Sequence, residues 1–312
     1  MILLRKDNKK LTTIWHQKAF YLMVVPVMIY VFIFSYLPLT GWQMAFQNFR
    51  PGRDVQEWVG LQHFTFLFSD VAFLRILRNT IGMSLINLVL HFSTAIILAL
   101  MINEVRQRKF KRIVQTISYL PHFLSWVIAA ALIRQVLGST GIVNDILIWL
   151  GLRDTPHIFM LDTGTTLGMP NFWWMIGWSN VWKSVGWNTI IYLAAMSAVD
   201  PALYESAEID GAGRFRRMWH ITLPGIKSTI LVLLIMHLGW ILNVGFEVQF
   251  LLETDLTRQV AETIDLFVIR WGIALRNYSL ATALGIFRTI VAIVLITIAN
   301  QASKRIARES LV

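Results

Sequence analysis

Residues 200–213 read DPALYESAEIDGAG, a polar stretch in a chain that is otherwise strongly apolar. Pro201 suits the first turn of a helix, and good helix formers follow it. Gly211 and Gly213 then allow a sharp turn, because glycine tolerates backbone angles that strain other residues. A second short helix is predicted to run from this turn to Pro224. The stretch therefore predicts a structured protrusion rather than a simple connection.

Long segments with little or no charge lie on both sides of this protrusion and in the rest of the chain. The protein has 312 residues, of which 56% are hydrophobic and 15% are charged. A helix needs about 20 apolar residues to cross a bilayer, and one charge at its centre costs roughly 2.5–3.5 kcal/mol. We predict an all-α, polytopic membrane protein with six transmembrane helices, near residues 19–40, 77–102, 113–136, 172–198, 227–248 and 279–300.

Positive charges are distributed unevenly between the two sides of the predicted membrane. If the spans alternate in direction, 17 of the 28 Lys and Arg residues lie on the side of the N-terminus and 7 on the other side. An excess of Lys and Arg marks cytoplasmic segments. We therefore predict cytoplasmic tails at 1–18 and 301–312 and a cytoplasmic protrusion at 199–226. Since topology accounts for most of the net charge of +10, nucleic-acid binding is not expected.

Motifs that would give the chain its own catalytic site are missing from the sequence. No lysine lies in a phosphate-binding G-x-x-x-x-G-K-[ST] loop, and no G-x-S-x-G nucleophile motif occurs. The seven histidines include no pair at zinc-ligand spacing, and the lack of cysteine excludes thiolate ligands and disulfides. The sequence thus predicts no catalytic residue, no metal site and no cofactor bound by this chain.

The protrusion resembles the EAA loop of permease subunits of binding-protein-dependent ABC importers. Its motif reads ESA at 205–207 and DGA at 210–212, and ITLP closes the loop at 221–224. Ser206 replaces the usual alanine with another small residue. The resemblance implies a type I importer fold and a short helix that docks into an ATPase subunit, with Glu205 facing a basic partner. The implied coupling residues are Glu205, Ser206, Ala207, Asp210, Gly211, Ala212 and Gly213.

Two further patterns are similar to sugar-importer permeases of the maltose and multiple-sugar type. WVGLQHF at 58–64 precedes the second predicted helix, and RNT at 78–80 begins it. The bare six-helix chain with a basic tail looks most like the oligosaccharide and polysaccharide branch, which includes alginate importers. The resemblance implies a bacterial cytoplasmic (inner) membrane protein. Its implied partners are a second, homologous permease that is a different chain, two ATPase subunits that bind ATP and Mg, an extracytoplasmic substrate-binding protein, a saccharide and membrane lipid.

Polar and aromatic side chains inside the predicted spans are candidates for the transport path, because they must face a cavity or a partner rather than lipid. Sugar rings stack on aromatic faces, and their hydroxyls pair with amides, imidazoles or carboxylates. The path candidates are Trp178, Trp182, Lys183, His237, Trp240, Asn243 and Glu247. The last four are predicted to share one face of the fifth span. Ordinary helix packing would explain the same residues.

Lys183 and Arg288 are the single charges of their spans. Lys183 could compensate an anionic sugar, pair with Glu247 or reach towards lipid headgroups. Arg288 could be a gate charge or a contact with the partner permease. Pro121 is expected to kink the third span.

Three other functions fit part of this pattern. An ABC permease for glycerol-phosphate, an amino acid or a peptide would share the EAA loop. A six-helix channel would explain the spans but not the glycine-broken loop. A membrane glycosyltransferase would need paired carboxylates, and Glu205 with Glu208 fits the docking motif better.

Overall fold

The computed structural model describes residues 17–307, which form long helices, shorter helices and two antiparallel strand pairs. A π turn at Phe32–Tyr36 and 3₁₀ turns at Leu37–Phe46 continue the first helix. In the first strand pair Gln47 lies opposite Trp58. The elements up to residue 149 are α1 (Lys18–Val31), β1 (Gln47–Asn48), β2 (Glu57–Trp58), α2 (Gln62–Ser69), α3 (Val71–Glu104), α4 (Arg108–Tyr119), α5 (Trp126–Val136) and α6 (Ile142–Trp149).

The second half of the chain contains one more strand pair, in which Thr166 lies opposite Met169. A 3₁₀ turn at Phe159–Leu161 precedes this pair, and π turns occur at Met218–Thr222 and Val268–Ala274. The remaining elements are β3 (Thr165–Thr166), β4 (Met169–Pro170), α7 (Asn171–Ser197), α8 (Pro201–Ile209), α9 (Arg214–Arg217), α10 (Leu223–Gly225), α11 (Lys227–Gly239), α12 (Glu247–Leu252), α13 (Arg258–Ala261), α14 (Ile264–Phe267) and α15 (Tyr278–Ala307).

Three helical segments between residues 17 and 307 are long and apolar enough to cross a membrane: Lys18–Phe46, Val71–Glu104 and Tyr278–Lys304. In two further cases a pair of helices joined by a bend is long and apolar enough when its two members are taken together. The segment Arg108–Phe123 meets α5 at 110°, and the segment Arg214–Gly225 meets α11 at 58°. The 27 residues of α7 are enough to cross a bilayer, but its tryptophan, asparagine and serine side chains make it less apolar.

Several predicted boundaries differ from the structure. The first span continues beyond residue 40 to Phe46, and the second begins at Val71 rather than at 77. The fifth span, predicted for 227–248, ends at Gly239. The C-terminal tail predicted from residue 301 begins inside α15. Residues 1–16, which make up most of the predicted N-terminal tail, and residues 308–312 of the predicted C-terminal tail lie outside the described residues.

The third span, predicted as one helix over 113–136, is broken in the middle. α4 ends at Tyr119, a 3₁₀ turn that contains Pro121 follows, and the backbone is extended at Leu124. A proline has no N–H to donate to the preceding helical turn, which favours the end of α4 here. Ser125 then starts α5, because its hydroxyl accepts a hydrogen bond from the Ile128 N–H at 3.3 Å. The expected kink is therefore a full change of direction.

The contact between α3 and α7 positions the rest of the fold. Glycines lie where the two helices meet, since a Cβ on Gly82 would overlap the ring of Trp173 and one on Gly177 would meet Ile86 at 2.7 Å. Further along, the Asn180 amide donates to Asn87 at 3.1 Å. Small residues and interhelical hydrogen bonds are the main means of holding helices together in lipid, where apolar surface gives no net attraction.

Apolar side chains pack around both ends of this helix pair. Near the start of α7, Ile86, Phe172 and Leu252 belong to one buried cluster. At the other end, Met196 and Ile226 belong to a second cluster, which lies beside the protrusion predicted at 199–226. The two ends of α7 therefore each pack against neighbouring elements, and α7 connects them as one continuous helix.

We predict that Gly186→Ala destabilises the protein and that Gly285→Ala does not. A Cβ on Gly186 would collide with the backbone carbonyl of Ser118 where α4 crosses α7, whereas a Cβ on Gly285 has no atom within 4 Å. Overpacking of this kind costs about 1–3 kcal/mol. Both glycines lie inside helices, so the gain in helix propensity is the same for both. Thermal unfolding of the purified protein in detergent measures the difference, and equal midpoints for the two variants would contradict the close crossing.

Candidate functional site

The predicted protrusion is a short helix with a defined start and stop. The Asp200 carboxylate accepts the Ala202 N–H at 2.9 Å and caps α8. At the other end Gly211 has a φ of +72°, and its N–H donates to the Glu208 carbonyl at 3.1 Å. The Ala212 N–H donates to the Ala207 carbonyl at 2.8 Å. This pair of hydrogen bonds is a Schellman motif, which ends α8 by satisfying its last carbonyls.

Two contacts hold α8 against the segment that follows the turn. The Tyr204 hydroxyl lies 3.0 Å from the hydroxyl of the buried Thr222. The Arg217 guanidinium donates to the Glu208 carboxylate at 2.9 Å. The protrusion is therefore a closed unit whose shape is set by its own side chains.

The predicted coupling residues lie on this unit as a mostly exposed group. Glu205 and Ser206 are exposed, whereas Ala207 and Ala212 are partly buried. Glu205 makes no ion pair within residues 17–307, in contrast to Glu208. The prediction that both glycines serve the turn needs a correction. Gly213 has a φ of −68°, which any residue adopts, so only Gly211 requires glycine.

Exposed apolar side chains on the protrusion are a feature that the sequence reasoning missed. Ile209 is 87% exposed, Phe215 83% and Trp219 71%. The sequence could have identified them, because they are large apolar residues in a segment predicted to lie outside the membrane. Large apolar side chains exposed on a segment outside the predicted spans are typical of a protein-binding surface.

Five of the seven predicted path residues line one of two cavities, and Lys183 and Glu247 line neither of the two. Trp178 and Trp182 line a cavity of 570 Å³ between α5 and α7. His237, Trp240 and Asn243 line a second cavity of 240 Å³ on another side of α7. Polar residues that the sequence reasoning passed over also line this second cavity: Ser84, Asn87, His91 and Asn180. Each is a polar group inside a span, and that signal alone could have identified it.

The predicted shared face of the fifth span is wrong. α11 ends at Gly239, so Trp240 and Asn243 lie in an irregular segment, and Glu247 begins the separate helix α12. Gly245 lies in this segment with a φ of +81°, a conformation that a continuing helix excludes. Glu247 is exposed and lines neither of these two cavities.

Lys183 and Arg288 have defined partners. The Lys183 ammonium donates to the His122 carbonyl at 3.0 Å and lies 5.2 Å from the ring centre of Trp126. It therefore binds both sides of the break in the third span rather than Glu247. The Arg288 guanidinium pairs with the Asp265 carboxylate at 2.7 Å. That carboxylate also accepts the Gly245 N–H at 2.9 Å, so Arg288 supports the irregular segment after α11.

The larger cavity opens beside the first half of α7, at the end opposite the protrusion. Its wall includes the loop before α7, where the Asp162 carboxylate accepts hydrogen bonds from the Gly164 N–H at 2.7 Å, the Asn171 amide at 2.9 Å and the His157 ring at 2.8 Å. Burial raises the pKa of Asp162, but these hydrogen bonds outweigh it and hold the pKa below its ordinary value. Trp174 and Arg153, which the sequence reasoning missed, also line this cavity.

Comparison with known proteins decides the family. A sequence profile of the family described as "Binding-protein-dependent transport system inner membrane component" matches residues 91–309. The chain belongs to this family. It is an inner membrane component, and the all-α polytopic fold and the resemblance recognised at 205–224 are confirmed.

Relatives and solved structures match the permease over almost its whole length. The polygalacturonan/rhamnogalacturonan transport system permease protein YteP of Bacillus subtilis is 40% identical over 99% of this chain and 96% of the relative. Protein LplB of the same organism is 40% identical over 94% and 91%. A crystal structure of a bacterial ABC transporter involved in the import of the acidic polysaccharide alginate has a TM-score of 0.85 at 41% identity, covering 96% of this chain and 99% of that chain. A second crystal structure shows a bacterial alginate ABC transporter in complex with an alginate pentasaccharide-bound periplasmic protein.

We predict that Gly211→Ala opens the end of α8, whereas Gly213→Ala leaves it closed. Neither position has an atom within 4 Å of an added Cβ, so only the positive φ of Gly211 distinguishes them. A side chain in the left-handed region costs about 1–2 kcal/mol. Hydrogen exchange at the Ala212 N–H should therefore be roughly 5–30 times faster in Gly211→Ala than in the parent. Equal exchange in the two variants would contradict the Schellman assignment.

We predict that Asp162→Ala loosens the loop before α7 and that Asp154→Ala, a change at an exposed carboxylate of the same loop, does not. Since the pKa of Asp162 is lowered on folding, its stabilising contacts are complete above its ordinary value of 3.8 and are lost as the pH falls through the lowered pKa. Hydrogen exchange at the Gly164 N–H should be fast in Asp162→Ala at neutral pH. A slow Gly164 N–H in that variant would show that the carboxylate does not organise the loop.

Proposed function

We propose that this permease is one transmembrane subunit of an ATP-driven importer of oligosaccharides or polysaccharides. It forms half of the translocation path with a second, homologous permease of different sequence. Two ATPase subunits bind ATP and Mg and dock on the protrusion at 199–226, while this chain binds no cofactor. An extracytoplasmic binding protein delivers the saccharide. The family description and the saccharide systems to which the relatives belong support this proposal.

The geometry of the protrusion is the observation that carries the proposal. α8 stands outside the long helices, its Glu205 makes no ion pair within residues 17–307, and large apolar side chains are exposed at its end and on the segment that follows it. A carboxylate gives orientation in a protein interface, and apolar side chains supply most of the binding energy. The Schellman motif and the Tyr204–Thr222 contact hold the protrusion together, so a force applied to α8 moves the protrusion as one unit.

The two helices joined to the protrusion, α7 and α11, would transmit its movement to the transport path. Asp200 joins α8 to α7, which lines both cavities with residues such as Trp178 and Asn180. On the other side the chain enters α11 through the buried Ile226, which packs in the same cluster as Met196 of α7. Movement of a closed ATPase dimer against the protrusion would therefore turn α7 and α11 together. Rigid-body motion of this kind exchanges inward and outward access to a central cavity.

The experiment compares Glu205→Gln with Glu208→Gln in the reconstituted transporter. Each variant removes one negative charge from the same helix, but Glu208 already pairs with Arg217 while Glu205 has no ion-pair partner within residues 17–307. We expect Glu205→Gln to lower saccharide-stimulated ATP hydrolysis at least tenfold, because the loss of one charge-assisted contact in an interface costs about 1.5–3 kcal/mol. Glu208→Gln should retain most of the activity.

Co-purification of the ATPase with each permease variant separates docking from catalysis. Reduced recovery of the ATPase with Glu205→Gln alone supports docking through α8. Full recovery and full saccharide-stimulated hydrolysis in Glu205→Gln would overturn the proposed role of the protrusion.

A further inference from the structure

Three tryptophans form a line along the wall of the larger cavity. Trp174, Trp178 and Trp182 are spaced by four residues on α7, and all three line the cavity of 570 Å³. Residues four apart lie on the same face of a helix, with a rise of about 6 Å from one to the next. The cavity volume falls within the range of roughly 300–1,000 Å³ that is usual for small-ligand sites.

The indole groups of this line have unused hydrogen-bonding capacity. Trp178 is 54% exposed and Trp182 is 40% exposed. The Trp174 N–H donates to the Thr166 carbonyl at 3.1 Å, but the N–H groups of Trp178 and Trp182 have no hydrogen-bond partner within residues 17–307. Large apolar faces with free donors at their edges match a sugar ring, which offers C–H groups on its faces and hydroxyls around its rim.

Arg153 is the free charge of the cavity. It is exposed and makes no ion pair within the described part of the chain. The acidic group of the same wall, Asp162, is already engaged by Gly164, Asn171 and His157. Lys183, the next residue after Trp182, is bound to the His122 carbonyl. The lining thus holds one arginine without an ion-pair partner in the described residues, and the oxygens of its carboxylate, Asp162, are occupied by three donors.

We propose that this cavity is a binding site for an acidic oligosaccharide, in which Trp174, Trp178 and Trp182 stack on successive sugar rings and Arg153 pairs with a uronate carboxylate. The inference rests on the proposed function and adds to it where the substrate binds and that the substrate is negatively charged. A planar guanidinium can bind a carboxylate through two parallel hydrogen bonds, which favours uronates over neutral sugars of the same shape. Since the site lies at the end of α7 away from the protrusion, it is the part of α7 that a saccharide from the extracytoplasmic side meets first.

The test measures binding of trigalacturonate and of its fully methyl-esterified form to the whole transporter in nanodiscs, without binding protein, by titration calorimetry. The two ligands have the same sugar rings and differ in charge. We expect the wild type to bind the acid at least tenfold more tightly than the ester, which is the effect of one charge-assisted contact. Arg153→Gln should abolish this preference, and Arg153→Lys should keep part of it.

Two further variants control the result. Arg53→Gln removes an exposed arginine from another outer loop and should leave the preference for the acid unchanged. Trp178→Leu should weaken the binding of acid and ester alike, because stacking does not depend on charge. Equal affinities of the wild type for acid and ester, or equal effects of Arg153→Gln and Arg53→Gln, would overturn the proposed site.

Lipid analysis tests whether a phospholipid, rather than a saccharide, occupies the cavity. A phospholipid that co-purifies with the wild type at one molecule per transporter and is lost in both Arg153→Gln and Trp178→Leu would overturn the saccharide assignment. The proposed function is tested separately by saccharide-stimulated ATP hydrolysis of the complete assembly with its binding protein.

If saccharide stimulates ATP hydrolysis by the wild type but Arg153→Gln still binds the acid more tightly than the ester, only the proposed site is wrong. If no saccharide stimulates the wild type, the proposed function itself is wrong.

Discussion

The close contact between α3 and α7 is the constraint on which the rest of this permease depends. Gly82 and Gly177 remove the side chains that would separate the two helices, and the Asn180–Asn87 hydrogen bond ties them together. In lipid such contacts replace the hydrophobic attraction that packs helices in water. With α7 held along much of its length, one of its ends carries the cavity and the other carries the protrusion. A single continuous helix therefore joins the proposed docking protrusion to the proposed binding cavity.

Charged groups in this protein separate into those that hold the backbone and those that are free. The Lys183 ammonium donates to the His122 carbonyl at the break in the third span. Arg288 pairs with Asp265 and so supports the irregular segment after α11. A charge next to lipid needs such a partner, because an unpaired buried charge costs several kcal/mol. Glu205 on α8 and Arg153 in the loop before α7 are exposed and make no ion pair within the described residues. They are therefore available to bind other molecules.

Sequence reasoning located the protrusion well because its signals are local. A proline in the first turn and a glycine after the last turn act within a few residues of each other. The roles of Gly211 and Gly213 could not be separated in this way, since the sign of φ depends on the path of the following segment. The face assigned to Glu247 failed for a related reason. Periodicity presumes a continuous helix, and the helix ends at Gly239.

The sequence by itself determined the membrane class, the approximate location of the long apolar segments and the structured protrusion at 199–226, because charge, apolar length and turn chemistry act over short distances. Only the tertiary structure decided which polar groups are partners of one another. Lys183 and His122 are 61 residues apart, and Asn180 and Asn87 are 93 apart, so no local pattern connects them. The same holds for the cavity. Arg153 and Trp182 lie in different elements, and they line one space only because the loop before α7 folds back over α5 and α7.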